Sequence, residues 1–146
     1  MNTTIEIEEP KTIEKLKTVF HPLVKITTKP DSKVMRIEME EDYTRIDFVT
    51  LAGHWLWVQM DSNCFIRPVG SDTRLTLVKA QGIPLAPNKY HFKSRNESLY
   101  YTLYFPALPK GTEAIDIIEK EVPGTYFNFY GVALSKAKSE TLTVGN

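Results

Sequence analysis

Histidine, cysteine and paired carboxylates are the side chains that most often carry catalysis or hold metals, and this chain uses them sparingly. Its histidines, His21, His54 and His91, stand far apart. None lies at a metal-ligand spacing from another histidine or a carboxylate, so they read as surface or strand-end residues and no metal is expected. Cys64, the single cysteine, lies in "NCFIR", where strand alternation sets it on one face with Ile66. A reactive thiol needs exposure and an electropositive setting, so Cys64 is expected to be a small buried hydrophobe. Glycoside cleavage requires two acids about 5–10 Å apart in space, and Glu38, Glu40 and Asp47 are the strand carboxylates to consider for it. Nothing in their spacing pairs them. No G-x-S-x-G elbow, H-E-x-x-H pair or glycine-rich phosphate loop is present. No catalytic residue and no cofactor is therefore expected.

The aromatic residues are more suggestive. In "HWLWVQM", Trp55 and Trp57 share a strand face, opposite His54, Leu56 and Val58. In "SLYYTLYF", Tyr100 and Tyr104 share the face opposite the leucines. Flat rings two residues apart, if they meet solvent, can stack on a sugar or anchor a protein partner. The commoner arrangement places tryptophans in the core and tyrosines over the outer sheet. The functional reading makes Trp55, Trp57, Tyr100 and Tyr104 a ligand or partner surface. Both faces of "WLWV" are apolar, so that strand expects a covering layer on each side.

The elements that position these residues follow a period of two. In "KVMRIEME", Met35, Ile37 and Met39 oppose Arg36, Glu38 and Glu40; in "YTRIDFV", Ile46 and Phe48 oppose Arg45 and Asp47. Such alternation marks half-buried antiparallel strands, and β-branched and aromatic residues suit them. Turn signals such as "KPDSK", "MDSN", "SRNES" and "VPGTY" separate the runs. The spacing predicts about nine strands, near 4–8, 23–28, 33–40, 43–51, 55–60, 63–67, 74–80, 98–105 and 126–134, with a shorter one at 114–119. Only "KTIEKLKTVF" has a helical pattern, and it reads equally as an edge strand or a linker. The fold expected is an all-β antiparallel sandwich.

One stretch breaks the rhythm. In "VKAQGIPLAPNKYHF", Pro84 and Pro87 cannot donate to a ladder, so "GIPLAP" is no central strand. Gly82 can take a backbone conformation closed to other residues. Ile83 and Leu85 are apolar, which predicts an extended crossover whose two side chains plug the core. The P-x-x-P match at 84–87 is read as part of that crossover, not as a docking peptide.

Bulk properties set the outer bounds. At 146 residues, with 42% hydrophobic and 25% charged residues, one domain spanning 1–146 is expected, with 1–22 an extension or edge segment. Lys plus Arg equals Asp plus Glu at 18 each, so no long-range field steers the chain to nucleic acid. No apolar run approaches the ~20 residues of a membrane helix, and no signal peptide is visible, so membrane insertion is not expected.

The ordered set "LVKAQGIPLAP", "LYYTLYFPALPKGTEAIDIIE" and "FNFYGVAL" resembles the immunoglobulin-like sandwich domains of envelope-associated proteins of gut bacteria, over roughly residues 43–134. Gln81 stands where that pattern has an acidic residue. The resemblance supplies no catalytic residue. It implies an immunoglobulin-like sandwich and a non-enzymatic binding or accessory module with a protein or glycan partner, in the periplasm or at the cell surface. Two alternatives belong to other classes: a carbohydrate-active or other hydrolytic enzyme, and a structural adhesin-like or pilin-like subunit.

Overall fold

The computed structural model describes residues 16–134, apart from positions 23 and 25, and the strand at 138–143. Alternating burial along the chain produces thirteen strands and, among the described residues, no helix. One sheet contains β1 (Leu16–His21), β3 (Ser32–Met39), β4 (Tyr43–Leu51), β8 (Lys79–Gln81), β10 (Ser98–Pro106) and β13 (Lys138–Thr143), in the order β13-β1-β3-β4-β10-β8. A second contains β2 (Ile26–Thr27), β6 (Phe65–Pro68), β7 (Leu75–Thr76), β11 (Ala114–Ile118) and β12 (Asn128–Ala133), in the order β2-β12-β11-β6-β7. A two-stranded ribbon joins β5 (Trp57–Val58) to β9 (Tyr90–His91). All these pairings are antiparallel. With no helix among the described residues, none there is long and apolar enough to cross a membrane.

The two large sheets share one apolar core. From the first come Ile37, Ile46, Phe48, Tyr101, Leu103 and Phe105; from the second, Ile66, Ile115, Ile117, Phe129 and Val132. Phe48 stacks on Tyr101 with ring centroids 5.3 Å apart, and meets Phe129 of the other sheet at 5.8 Å. Each fully buried side chain of this size contributes roughly 1.5–3 kcal/mol of transfer free energy. This is a sandwich-like packing of antiparallel sheets. Within it, Ser32 Oγ, Thr50 Oγ1 and the Tyr101 hydroxyl form a buried chain of hydrogen bonds, each 2.8 Å long. Burial pushes the Tyr101 phenol upward, so it stays protonated and can serve as a donor.

Several sequence expectations need correction. The strands exceed the nine and a shorter tenth expected because one run is divided, and because β9, β13 and β1 form where no strand is counted in the sequence. The run at 74–80 is two strands in different sheets: β7 pairs with β6, while β8 pairs with β10. Between them, the Leu77 N–H donates to Cys64 O at 2.7 Å and the Val78 N–H to Tyr104 O at 2.8 Å. The chain thus changes sheets there, ahead of the proline stretch. In β3, Val34 faces Phe48 and Arg36 faces Asp47, so Met35 is an extra, bulged residue. The bulge reverses the alternation and leaves Val34 buried and Met35 exposed. The segment 16–21, half of the helical candidate, is a strand set between β13 and β3, not a sheet edge. The strand expected at 4–8 lies outside the described residues.

The proline stretch forms a strap. Met60 N–H donates to Pro84 O at 3.0 Å, and Ala86 N–H to Met60 O at 2.9 Å, a short parallel bridge. Ile83 is buried as expected, but Leu85 is 36% exposed and plugs nothing. Gly82 has φ +88°, and a Cβ there would lie 2.8 Å from Tyr100 O. Only glycine fits.

Candidate functional site

The four aromatic residues singled out from the sequence do not form one surface. Tyr100 is 68% exposed on the outer face of the larger sheet, beside Met35 and Arg36. Tyr104 lies further along that face, edge-on to Tyr43 at 5.8 Å, with Lys79 Nζ 5.6 Å from its ring centre. Trp55 and Trp57 are elsewhere, and they do come together. Both line a cleft of about 610 Å3 between the segment 54–59 and the segment 124–127.

The first wall of this cleft leads into the ribbon strand β5. Trp55 is half-buried and fixed at both of its polar ends. Its backbone N–H donates to Ala52 O at 2.7 Å, and its indole Nε1 donates to Asp31 Oδ2 at 2.8 Å. Trp57, two residues on, is 40% exposed, while Val58 next to it turns into the core. The opposite wall is Tyr126 and Phe127, at the end of the "VPGTY" turn and just before β12. Phe127 is buried and meets Tyr101 edge-on, which ties this wall to the core. The cleft thus presents indole, phenol and phenyl rings, two from each side.

Its polar groups are few. Glu119 is nearly buried, and its carboxylate oxygens accept the Phe127 and Asp61 N–H groups, each at 2.9 Å. Burial raises its pKa above the usual carboxylate range, against the opposing pull of those two hydrogen bonds. The bonds anchor Glu119 to the neighbouring loops. Beneath Trp55 lies Lys29, only 3% exposed, with Nζ 3.8 Å from the Trp55 ring centre and 4.8 Å from that of Phe127. Burial lowers its pKa, and the charges of Glu119 and Asp31 partly offset that. Lys29 therefore braces the two walls from behind as a cation held on two π faces. Gln59 Oε1, on the lining, is buried without a hydrogen-bond partner. A buried acceptor left without a partner is costly.

The residues considered for chemistry are dispersed. Among the described residues no group of three or more His, Cys, Asp and Glu side chains is placed to hold a metal ion. Cys64 is 1% exposed, and burial pushes its thiol far up, away from the reactive thiolate. Glu38 forms an ion pair with Arg36 at 2.7 Å. Asp47 pairs with Arg45 at 3.0 Å and accepts the Thr102 hydroxyl at 2.7 Å. These acids belong to a charged network on the outer face of the larger sheet, and neither lines the cleft.

Sequence reasoning found the tryptophans and missed Lys29, Gln59, Glu119, Tyr126 and Phe127. Lys29 sits in "KPDSK", which has the composition of an exposed turn. Tyr126 and Phe127 carried a usable signal, because "TYFNFY" is dense in rings, but their opposition to Trp55 depends on long-range packing. Compared with family models, curated proteins and solved structures, the chain matches none of them.

Proposed function

We propose that this chain is a non-enzymatic binding module that holds a glycan in the cleft between Trp57 and Tyr126. The observation that carries this reading is the four-ring lining, Trp55, Trp57, Tyr126 and Phe127. Apolar ring faces with a few fixed polar groups suit a sugar, whose C–H face stacks while its hydroxyls donate and accept. The cleft is also braced before any ligand arrives, by Lys29 and by the hydrogen bonds of Trp55 and Glu119. Bracing of this kind reduces the ordering cost of binding. We read the sandwich as immunoglobulin-like and the chain as part of a bacterial envelope or exported system. Its support is the ordered "GIPLAP", "FPALPKGT" and "FNFYG" pattern in the sequence.

A glycan array followed by calorimetry tests this. Trp57→Ala is expected to weaken binding of the array ligand by at least about tenfold, since the best aromatic anchors contribute 2 kcal/mol or more. Tyr104→Ala, on the other face, is expected to leave it unchanged. Equal loss in both variants, or retention in Trp57→Ala, contradicts the proposal.

A further inference from the structure

The aromatic cleft continues past Trp55. A second cleft of about 400 Å3 shares His54, Trp55 and Leu56 with it and is lined further on by Lys93 and Arg95. The two clefts adjoin at these shared residues, with the aromatic lining on the Trp57 side and the basic side chains of Lys93 and Arg95 in the second. The walls of the second cleft are tied together. Gly53 N–H donates to Arg95 O at 3.0 Å, Ala52 N–H to Glu97 O at 2.9 Å, and Phe92 N–H to Leu56 O at 3.0 Å.

The charges around the two clefts are unevenly compensated. Glu97 accepts the Tyr90 hydroxyl and the Lys93 N–H, and Lys93 Nζ stands 3.4 Å from the Tyr90 oxygen. The Lys93 charge interacts with the Glu97 carboxylate without forming a direct ion pair. Arg95 is exposed and, among the described residues, pairs with no carboxylate. At the other end, Lys89 Nζ lies 4.4 Å from the Trp57 ring centre, a second cation at the rim of the aromatic subsite. Glu119, the acid of the cleft lining, is bonded to backbone N–H groups and has the Lys29 charge near it.

We propose that the two adjoining clefts take an acidic oligosaccharide: one sugar ring against Trp57 and Tyr126, and a carboxylate further along the oligomer directed to Arg95. The guanidinium presents a planar fork that matches a carboxylate, and the aromatic end supplies the stacking face. The inference rests on the glycan reading above and adds the charge of the ligand.

Calorimetry with a short oligomer of a hexuronic acid, its neutral hexose counterpart and an acidic peptide of similar charge tests it. The uronate oligomer is expected to bind at least about tenfold more tightly than the neutral one, as one charge-assisted contact allows. Arg95→Gln is expected to remove that preference while leaving residual neutral binding, and Trp57→Ala to weaken both sugars. Raising ionic strength to about 1 M, where screening acts within about 3 Å, is expected to erode only the uronate advantage. Equal binding of the two sugars with no effect of Arg95→Gln overturns the acidic-ligand proposal and leaves the glycan reading standing. Binding of neither sugar overturns both. Binding of the acidic peptide alone overturns both in favour of a protein partner.

Discussion

At the scale of single residues, Lys29 is the group whose surroundings differ most from those its sequence context suggests. Its ammonium lies against Trp55 and Phe127 instead of in water, and burial holds its pKa below the ordinary 10.5. The unfolded chain keeps that proton over a pH range in which the folded chain has released it. Between the folded pKa and 10.5 the unfolded state binds more protons, so this group makes stability rise with pH. Glu119 acts in the opposite sense. Its folded pKa is raised, so its contribution is full below the ordinary 4.5 and is lost as pH rises through the folded value. Lys29→Met isolates the first effect. Urea unfolding at pH 7 and at pH 10 is expected to show wild type gaining stability relative to the variant at the higher pH. Parallel behaviour of the two proteins would contradict a buried, titrating lysine. None of this is legible in "KPDSK", because a lysine before a proline in a polar turn normally reaches solvent.

At the scale of elements, the strands with clean alternation were the legible ones. β4 and β10 run over Tyr43–Leu51 and Ser98–Pro106, within one residue of their expected bounds, because each has one face in the core and one outside. What the sequence hid were the irregularities. The bulge at Met35 and the sheet change at Leu77 and Val78 depend on which partner strand lies alongside, and local pattern does not encode the partner. A second bulge faces Asp116, whose carboxylate accepts the N–H of Gly131, a residue at φ +61°. The strap at 82–86 was half legible: its prolines excluded a central strand, yet only packing decides that Ile83 turns inward and Leu85 outward. Gly82 is its most constrained position. Gly82→Ala would combine a positive φ with a Cβ 2.8 Å from Tyr100 O. It is expected to destabilise the fold by about 1–3 kcal/mol, read as a lower urea midpoint. Ala86→Gly in the same strap, exposed and away from this contact, serves as the control and is expected to shift the midpoint by a smaller amount. A midpoint unchanged in Gly82→Ala contradicts the close approach.

At the scale of the whole molecule, both large sheets bury their apolar faces in one core, with Phe48 and Phe129 meeting across it. No segment of that core is independent of the other sheet. Urea unfolding followed by tryptophan fluorescence and by far-ultraviolet circular dichroism is therefore expected to give coincident curves. Two separated transitions contradict a single cooperative unit. The same packing explains why the cleft escaped the sequence: its walls, 54–59 and 124–127, lie almost seventy positions apart and are brought together only by the sandwich. Two rings in one strand suggested a surface, and the second pair of rings completes it. The proposed binding site is this cleft. Titrating the isotopically labelled protein with the uronate oligomer, while following the Trp and Tyr resonances by nuclear magnetic resonance, checks that placement. Saturable shifts of the Trp55 and Trp57 indole and Tyr126 ring signals are expected, with Tyr104 unmoved. Shifts confined to Tyr100 and Tyr104, or none at saturating ligand, would contradict it.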